Sequence, residues 1–519
     1  MNKISQYFHT HTLIAGTLFL TATGFLSRIL GFFYRIYLSR AIGAEGLGIY
    51  QMVFPVYGIC FSLCAGSIQT AISRFTAANR EQAKQTILCG FIISFSISLV
   101  LSALIRSRSE FLAVHILMEP ECAPLLPALA LALPFTSLHA CVCGYFYGKE
   151  QVSVPAIAQL VEQFVRIFIV FLVIDIWRVN GRELTALVAV LGLVGGEAVS
   201  ALFVLLSFFI FTSLESAHSK SASGRTPSHS GKPELHMVRS VAGPLMALAA
   251  PLMANRLVMN LFQSAEAIFI PNRLELFGLT DSQSVSIYGV LTGMAMPFIM
   301  FPSAIVNSLA VILLPTVSRQ QASGNDLSIR KTLTLSVRYS LYMGILCIGI
   351  FAVFGEQLGV TVFQNHDAGR FITILAWLCP FLYLATTMGS ILNGLGKTTL
   401  TFLHNFAAIS VRLLFVYFGI PHFGILACLW GMLISEIFLV LMHARSLCRL
   451  VYFSPNVWDF LIKPAFCLLA ALGIYRLLPK TLTFFPMIPD FFWLTVQIGF
   501  VCICYILILL LLQNRELSK

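Results

Sequence analysis

Apolar stretches long enough to cross a bilayer recur from one end of this chain to the other, and little else fits around them. A membrane-spanning helix needs about 20 predominantly apolar residues. Fourteen segments meet or approach that length: 12–38, 47–73, 86–105, 122–147, 154–177, 184–211, 241–270, 284–316, 334–355, 371–395, 399–419, 423–443, 457–478 and 490–512. They leave room for loops and for no soluble domain. Composition agrees, with 58% of the 519 residues hydrophobic and 11% charged, where a soluble chain carries roughly 25% charged residues. A soluble multidomain enzyme, a disordered chain and a fibrous repeat are excluded. The expected class is all-α, integral to the membrane and multi-pass. Tight connections near Lys149, Lys397 and Pro421 leave open whether their flanking segments are separate spans or long bent helices. The first apolar run, Leu13 to Leu26, continues into a span carrying Arg28, so it reads as a span and not as a cleavable leader.

The 13 cysteines lie mostly inside these apolar runs and show no CxxC or Cys/His spacing. They read as small membrane hydrophobes, with no metal site expected among them.

Orientation follows from the loops, because cytoplasmic loops collect Lys and Arg. With the N-terminus inside, seventeen basic residues fall on cytoplasmic loops and tails and nine on outer loops. Four of the outer loops also carry acids that offset their basic residues: Glu110, Glu119 and Glu121; Glu183; Glu275 and Asp281; Glu356 and Asp367. Both termini are therefore expected in the cytoplasm, the protein being a multi-pass component of the cell membrane. The net charge of +11 needs no nucleic acid, since a basic cytoplasmic surface facing anionic membrane lipids accounts for it.

Residues 212–240, rich in Ser, His, Lys, Gly and Pro, have no apolar period and read as a flexible cytoplasmic linker. The expected organisation is an N-lobe of six spans (1–211), the linker (212–240), a C-lobe of six spans (241–447), and two further spans with a tail (448–519). The halves match. A shift of 246 residues places Pro134-Phe135 on Pro380-Phe381, Gly148 on Gly394 and Val165-Arg166 on Val411-Arg412. A shift of 238 places Arg35 on Arg273 and Ile49-Tyr50 on Ile287-Tyr288, and one of 245 places Ser73-Arg74 on Ser318-Arg319. Six spans return the chain to its starting side, so the repeat is parallel, with a substrate path expected between the lobes. That architecture points to an alternating-access transporter.

Charges inside spans cost about 2.5 kcal/mol or more and usually face water or a partner. In the first span Arg28 and Arg35 are two helical turns apart, on one face, with no carboxylate in that span. In the seventh span Asn255, Arg256, Asn260, Gln263 and Glu266 occupy roughly 140° of the circumference at 100° per residue. In the fifth span Glu162 precedes Arg166 by four residues, the favoured order for an intrahelical ion pair. A structural pair and a substrate contact both remain open there. The repeat mate Arg412 has Ala408 where the glutamate would be. Glu197 and Glu436 lie in spans six and twelve, either one a counterion or a protonatable group.

The expected substrate-binding set is thus a cationic cavity of Arg28, Arg35, Arg166, Arg256 and Arg412 with Asn255 and Gln263. Glu266 and Glu162 are the candidates for ion coupling or charge balance. Arginine's planar fork suits phosphate, so the expected ligand is anionic. No GxxxxGK[ST] motif is present. No cofactor and no enzymatic activity are expected, and the energy source is a H+ or Na+ gradient, the membrane potential or the substrate gradient.

Three stretches, SRILGFFYRIYLSRAIGAEGLGIYQMVFPVY (27–57), GYFYGKEQVSVPAIAQLVEQFVRI (144–167) and LTGMAMPFIMFPSAIVNSLAVILLPTVSR (291–319), resemble the stage V sporulation protein B family. That family belongs to the multidrug/oligosaccharidyl-lipid/polysaccharide exporter superfamily, which includes the lipid II flippases. The first span is also similar to that of the lipid II flippases at Ser27, Arg28, Leu30, Gly31, Phe32, Arg40, Gly43 and Ala44. Arg35 is displaced by about one residue from their equivalent arginine. The resemblance implies a MATE-like fold and a flippase for a polyprenyl-pyrophosphate-linked glycan such as lipid II. It further implies a role in peptidoglycan assembly, spore cortex included, with peptidoglycan synthesis proteins as partners. Two alternatives are an ion-coupled multidrug or small-molecule exporter of the same superfamily and a non-transporting scaffold for wall synthesis. Arginines in place of acids in the first span argue against the exporter, and buried charge argues against the scaffold.

Overall fold

The computed structural model describes residues 2–223, 235–451, 457–477 and 490–517. Within these residues every regular element is helical. Thirteen helical stretches are long and apolar enough to cross a membrane. The first, Phe19–Ala78, is 60 residues long and takes in most of the first span read from the sequence and all of the second. Those spans are not separated by a loop. The stretch labelled α1 (Asn2–Met52) is two helices that meet at a kink at Gly43, whose φ of 74° and ψ of −177° no side-chain-bearing residue adopts cheaply.

The chain forms two compact units, residues 1–268 and 269–519. In the first, α1 is followed by α2 (Phe54–Phe61), a π-helical turn (Ser62–Gly66) and α3 (Ser67–Ala78). Then come α4 (Ala83–Ser107), α5 (Leu125–Gly148), α6 (Ser153–Val179), α7 (Leu187–Ser223) and α8 (Leu235–Leu276), of which residues up to Ile268 belong to this unit. The expected linker is narrower than 212–240. Residues 212–223 prolong α7, where Leu, Glu, Ala and Lys continue a helix readily once it is nucleated, and 235–240 open α8. Residues 224–234 lie outside the described residues.

The second unit contains α9 (Asp281–Gly289), a π turn (Val290–Ala295), α10 (Ser303–Ala322), α11 (Asp326–Leu358), α12 (His366–Leu375), α13 (Cys379–Gly394), α14 (Thr398–Leu414) and α15 (Ile425–Leu450). The last two helices are α16 (Lys463–Leu477) and α17 (Asp490–Leu517). The expected eighth span is interrupted near Phe301-Pro302, where α10 begins afresh.

Each unit is wired alike. In the first, α5 packs on α3, α4 and α7, and α7 packs on α6; in the second, α13 packs on α10, α11 and α15, and α15 packs on α14. The backbone repeats with the sequence. Left-handed residues fall at Met118 (φ 56°) and Gln364 (φ 55°), and again at Glu150 (φ 64°) and Gly396 (φ 71°), both pairs 246 residues apart. The second pair ends α5 and α13, and Gly424 (φ 61°) opens α15. The three tight connections are therefore true breaks. Gly148 and Gly394 do one job twice. A β-carbon at Gly148 would stand 2.7 Å from the Ser73 carbonyl oxygen, and one at Gly394 would stand 2.9 Å from that of Leu314. Each glycine lets the central helix touch the backbone of its neighbour.

Lipid is as apolar as leucine, so close backbone contact and interhelical hydrogen bonds carry the packing. Gly192 and Gly196, one turn apart on α7, bring it against the backbone of α6 at Glu162 and Arg166. Ser200 adds a 3.1 Å bond to the Ala158 carbonyl. Ser94 of α4 meets Ser137 of α5 at 2.7 Å, and Ser340, 246 residues on, meets Thr387 at 2.6 Å.

All 13 cysteines are free, ten of them buried; Cys502 and Cys504 are half-buried and Cys448 is exposed.

Candidate functional site: a polar core in the first unit

The GxxxG contact of α7 with α6 sets the site, because it holds Glu162 and Arg166 beside Glu197. Arg166 pairs with Glu162 one turn away, both side chains less than one-fifth exposed. Glu197 accepts a 3.2 Å hydrogen bond from the Tyr57 hydroxyl and faces His139 Nδ1 at 3.4 Å. Tyr57 also meets Thr136 at 3.1 Å. Four helices thus contribute to one network: α2 gives Tyr57, α5 gives Thr136 and His139, α6 gives Glu162 and Arg166, and α7 gives Glu197. Ligand atoms of His139, Glu162 and Glu197 lie within 4.8 Å of one another, a spacing a cation could bridge. The carboxylates are nonetheless already compensated, Glu162 by Arg166 and Glu197 by Tyr57 and His139.

The first span meets this core from the side. Gly31 of α1 faces Gln163, where a β-carbon would stand 3.3 Å from Nε2. Arg35 is half-buried and lies within electrostatic reach of Arg166, Tyr34 and Tyr50. The repeat counterpart of Arg35, Arg273, instead lies over the Tyr417 ring, 3.7 Å from its centroid. Arg28 is exposed and makes no ion pair among the described residues.

The polar stripe of α8 divides in two. Arg256 donates to Thr70 at 3.2 Å, and Asn260 donates to the Gly58 carbonyl at 2.9 Å and to Ser62. Ser264 bonds the Pro55 carbonyl at 3.4 Å. These contacts fasten α8 to the second span, where the π turn opens the backbone ladder. Asn255 and Gln263 are exposed and Glu266 is buried.

Arg412 belongs to the second unit and is half-buried on α14. That unit has a polar cavity of its own, about 390 Å3, lined by Ser303, Asn307, Thr386, Ser390, Asn393, Asn405, Glu436 and His443. Several lining groups give their protons away. Ser303 donates to the Met300 carbonyl, Thr386 to that of Leu382, Ser390 to that of Ala310, and Asn405 to that of Thr401. The remaining oxygens make a lining rich in acceptors, which suits water, hydroxyl groups or a cation. Beside it, His404 and His443 meet Nδ1 to Nδ1 at 2.8 Å, so only one of these two nitrogens carries a proton.

Sequence reasoning weighed Glu162, Arg166 and Glu197 and missed Tyr57, Thr136, His139, His404 and His443. A lone histidine in an apolar run was the one available signal.

The family model "Polysaccharide biosynthesis protein" matches residues 13–321. The chain belongs to that family. Among relatives of this polysaccharide biosynthesis protein, stage V sporulation protein B of Bacillus subtilis (strain 168) is 25% identical over 86% of each chain. Lipid II flippase MurJ of the same organism is 24% identical over 74% of this chain and 73% of its own. The solved structure "Lipid II flippase MurJ, inward closed conformation" superposes with a TM-score of 0.71 at 14% identity, covering 97% of this chain and all of the other. An inward-facing multidrug resistance MATE family transporter of the MOP superfamily gives 0.62 at 12% identity, over 82% and 95%. The polysaccharide biosynthesis protein is thus an all-α, MATE-like, multi-pass membrane protein related to flippases, and the likeness read from residues 27–57, 144–167 and 291–319 holds.

Proposed function

We propose that this membrane transporter moves a polyprenyl-pyrophosphate-linked glycan, of the lipid II kind, across the cell membrane by alternating access, for peptidoglycan and spore cortex synthesis. One observation carries the reading. Arg28, on a membrane-spanning helix, stands exposed with no ion pair among the described residues, and Arg35 of the same helical stretch lies within electrostatic reach of Arg166. A cation in that position faces water or an anion, and a pyrophosphate is the anion that arginine's fork fits best. The relative named as a lipid II flippase supports the substrate class, and the one named for stage V sporulation supports the sporulation role. Arg412, Asn255 and Gln263 complete the proposed binding set, with Arg256 fixing α8 in place. Peptidoglycan synthesis proteins are the proposed partners, and both termini are proposed to face the cytoplasm.

Glu266 and the Glu162–Glu197 core are the proposed coupling groups for H+ or Na+. They also favour the second reading, an ion-coupled exporter of the same superfamily. Reconstitution into liposomes with labelled lipid II, beside other undecaprenyl-linked sugars and cationic drugs, decides between them. Lipid II translocation supports the first reading, and drug uptake without it supports the second.

A further inference from the structure

The first unit carries a laterally open apolar groove of about 800 Å3 where α4, α5 and α7 meet. Lys84, Leu88, Phe91 and Phe95 line it from one face of α4, and Leu138 of α5 forms the opposite wall. Its polar side chains cluster at one end. Lys84 opens α4, and Thr212 stands three residues before Glu215, which pairs with Lys149 at the end of α5. From Lys84 to Phe95 is about 16 Å of helix, half of the roughly 30 Å hydrocarbon thickness.

The repeat shows what such a groove asks for. A shift of 246 carries Lys84 to Arg330, Phe91 to Val337 and Leu138 to Leu384. In the second unit the apolar part of that surface is covered, while Arg330 stays exposed beside a cavity it lines with Lys331 and Thr334. Phe460, just ahead of α16, is buried in one apolar cluster with Leu333, Val337, Leu384 and Met388, and Asp459 lies 4.0 Å from Arg338. The spans after residue 448 have no counterpart in the first half, and the residues lining the first groove all come from α4, α5 and α7. Nor is its cation answered. Arg80 pairs with Glu150 and Lys149 with Glu215, while Lys84 makes no ion pair among the described residues.

We propose that this groove binds an anionic phospholipid, with one acyl chain along Phe91 and Leu138 and the phosphate on Lys84 and Thr212. A cation and a hydroxyl at the mouth of an apolar slot one leaflet deep match an amphiphile of one leaflet. A partner helix would need apolar contact through the full thickness. The site is separate from the arginines assigned to transport.

Native mass spectrometry of the full-length protein, titrated with dioleoyl phosphatidylglycerol or dioleoyl phosphatidylcholine, tests it. Phosphatidylglycerol should be retained about fivefold better, the factor one lysine near an anionic headgroup supplies. Lys84→Gln should abolish that preference. Leu138→Trp should lose the bound lipid itself, whereas Val100→Trp, on the opposite face of α4, should not. Lys84 is exposed, so its substitution keeps the test readable if the bulky variant unfolds. Equal retention of the two lipids, or unchanged retention in Lys84→Gln and Leu138→Trp, overturns the proposal. So does a change of oligomeric state in Leu138→Trp, which would make the occupant a second copy of the chain.

Discussion

The Tyr57 hydroxyl donates a 3.2 Å hydrogen bond to Oε1 of Glu197, tying the second span to the sixth across 140 residues of sequence. Glu197 is only 7% exposed, and a buried acceptor that loses its donor costs about 1–3 kcal/mol. Tyr57→Phe keeps the ring and removes the donor. It should lower stability by about that amount in thermal unfolding in detergent, and His139→Ala should do the same from the other carboxylate oxygen. If both variants unfold like the wild type, Glu197 does not depend on this network.

The Glu162–Arg166 pair can be separated into structural and functional parts. Removing one partner of a buried pair costs about 3–5 kcal/mol, whereas replacing both with apolar groups is often neutral. Arg166→Leu alone should therefore destabilise the protein, and Glu162→Leu with Arg166→Leu should recover most of the loss. Lipid II translocation by the stable double variant is the informative reading. Loss of transport at wild-type stability assigns Arg166 to the substrate, and retained transport leaves it a structural residue.

Arg28 makes the opposite case. With no ion pair among the described residues to break, Arg28→Ala should insert and unfold like the wild type while lipid II translocation in liposomes falls at least about tenfold, the rate effect of about 1.4 kcal/mol. Normal translocation would remove Arg28 from the proposed site. Arg256→Ala should act differently, weakening the α8 contact to Thr70 and lowering stability along with transport.

Glu266 is 8% exposed on α8. Glu266→Gln preserves its size and removes its charge, so the variant should lose any dependence of transport on H+ or Na+. An unchanged ion response would exclude it as the coupling group.

Much of this architecture was legible because lipid imposes lengths and the two halves repeat. The shift of 246 found at Pro134-Phe135 and Gly148 reappears in the backbone, at Met118 and Gln364 and at Glu150 and Gly396. Helix continuity was harder to read. Gly43 ends one helix and starts the next with no loop between them, and residues 212–223 stay helical although their composition resembles a tether. The site was legible only where the polar residues fell on one helix. Glu162 and Arg166 pair within a turn, so spacing revealed them. Tyr57, His139 and Glu197 meet from three helices, and no local pattern marks a partner 58 or 140 residues away. The α8 stripe shows the limit of periodicity. Asn255 and Asn260 share a face by angle, yet Asn260 is tied to Gly58 while Asn255 is exposed.

Cys448 gives a native probe of orientation. It is the exposed cysteine of the thirteen, at the end of α15 between Arg445 and Arg449, on a segment whose basic charge argues for the cytoplasm. Cys122, near the start of α5, is buried with its thiol toward the Ile49 carbonyl, so it should not react in the folded protein. A membrane-impermeant maleimide should therefore label inverted vesicles and leave intact cells unlabelled, and Cys448→Ser should abolish the signal. Labelling of intact cells that disappears in Cys448→Ser would place this end of α15 outside and reverse the orientation of the whole chain. With it would reverse the leaflet in which Lys84 lies.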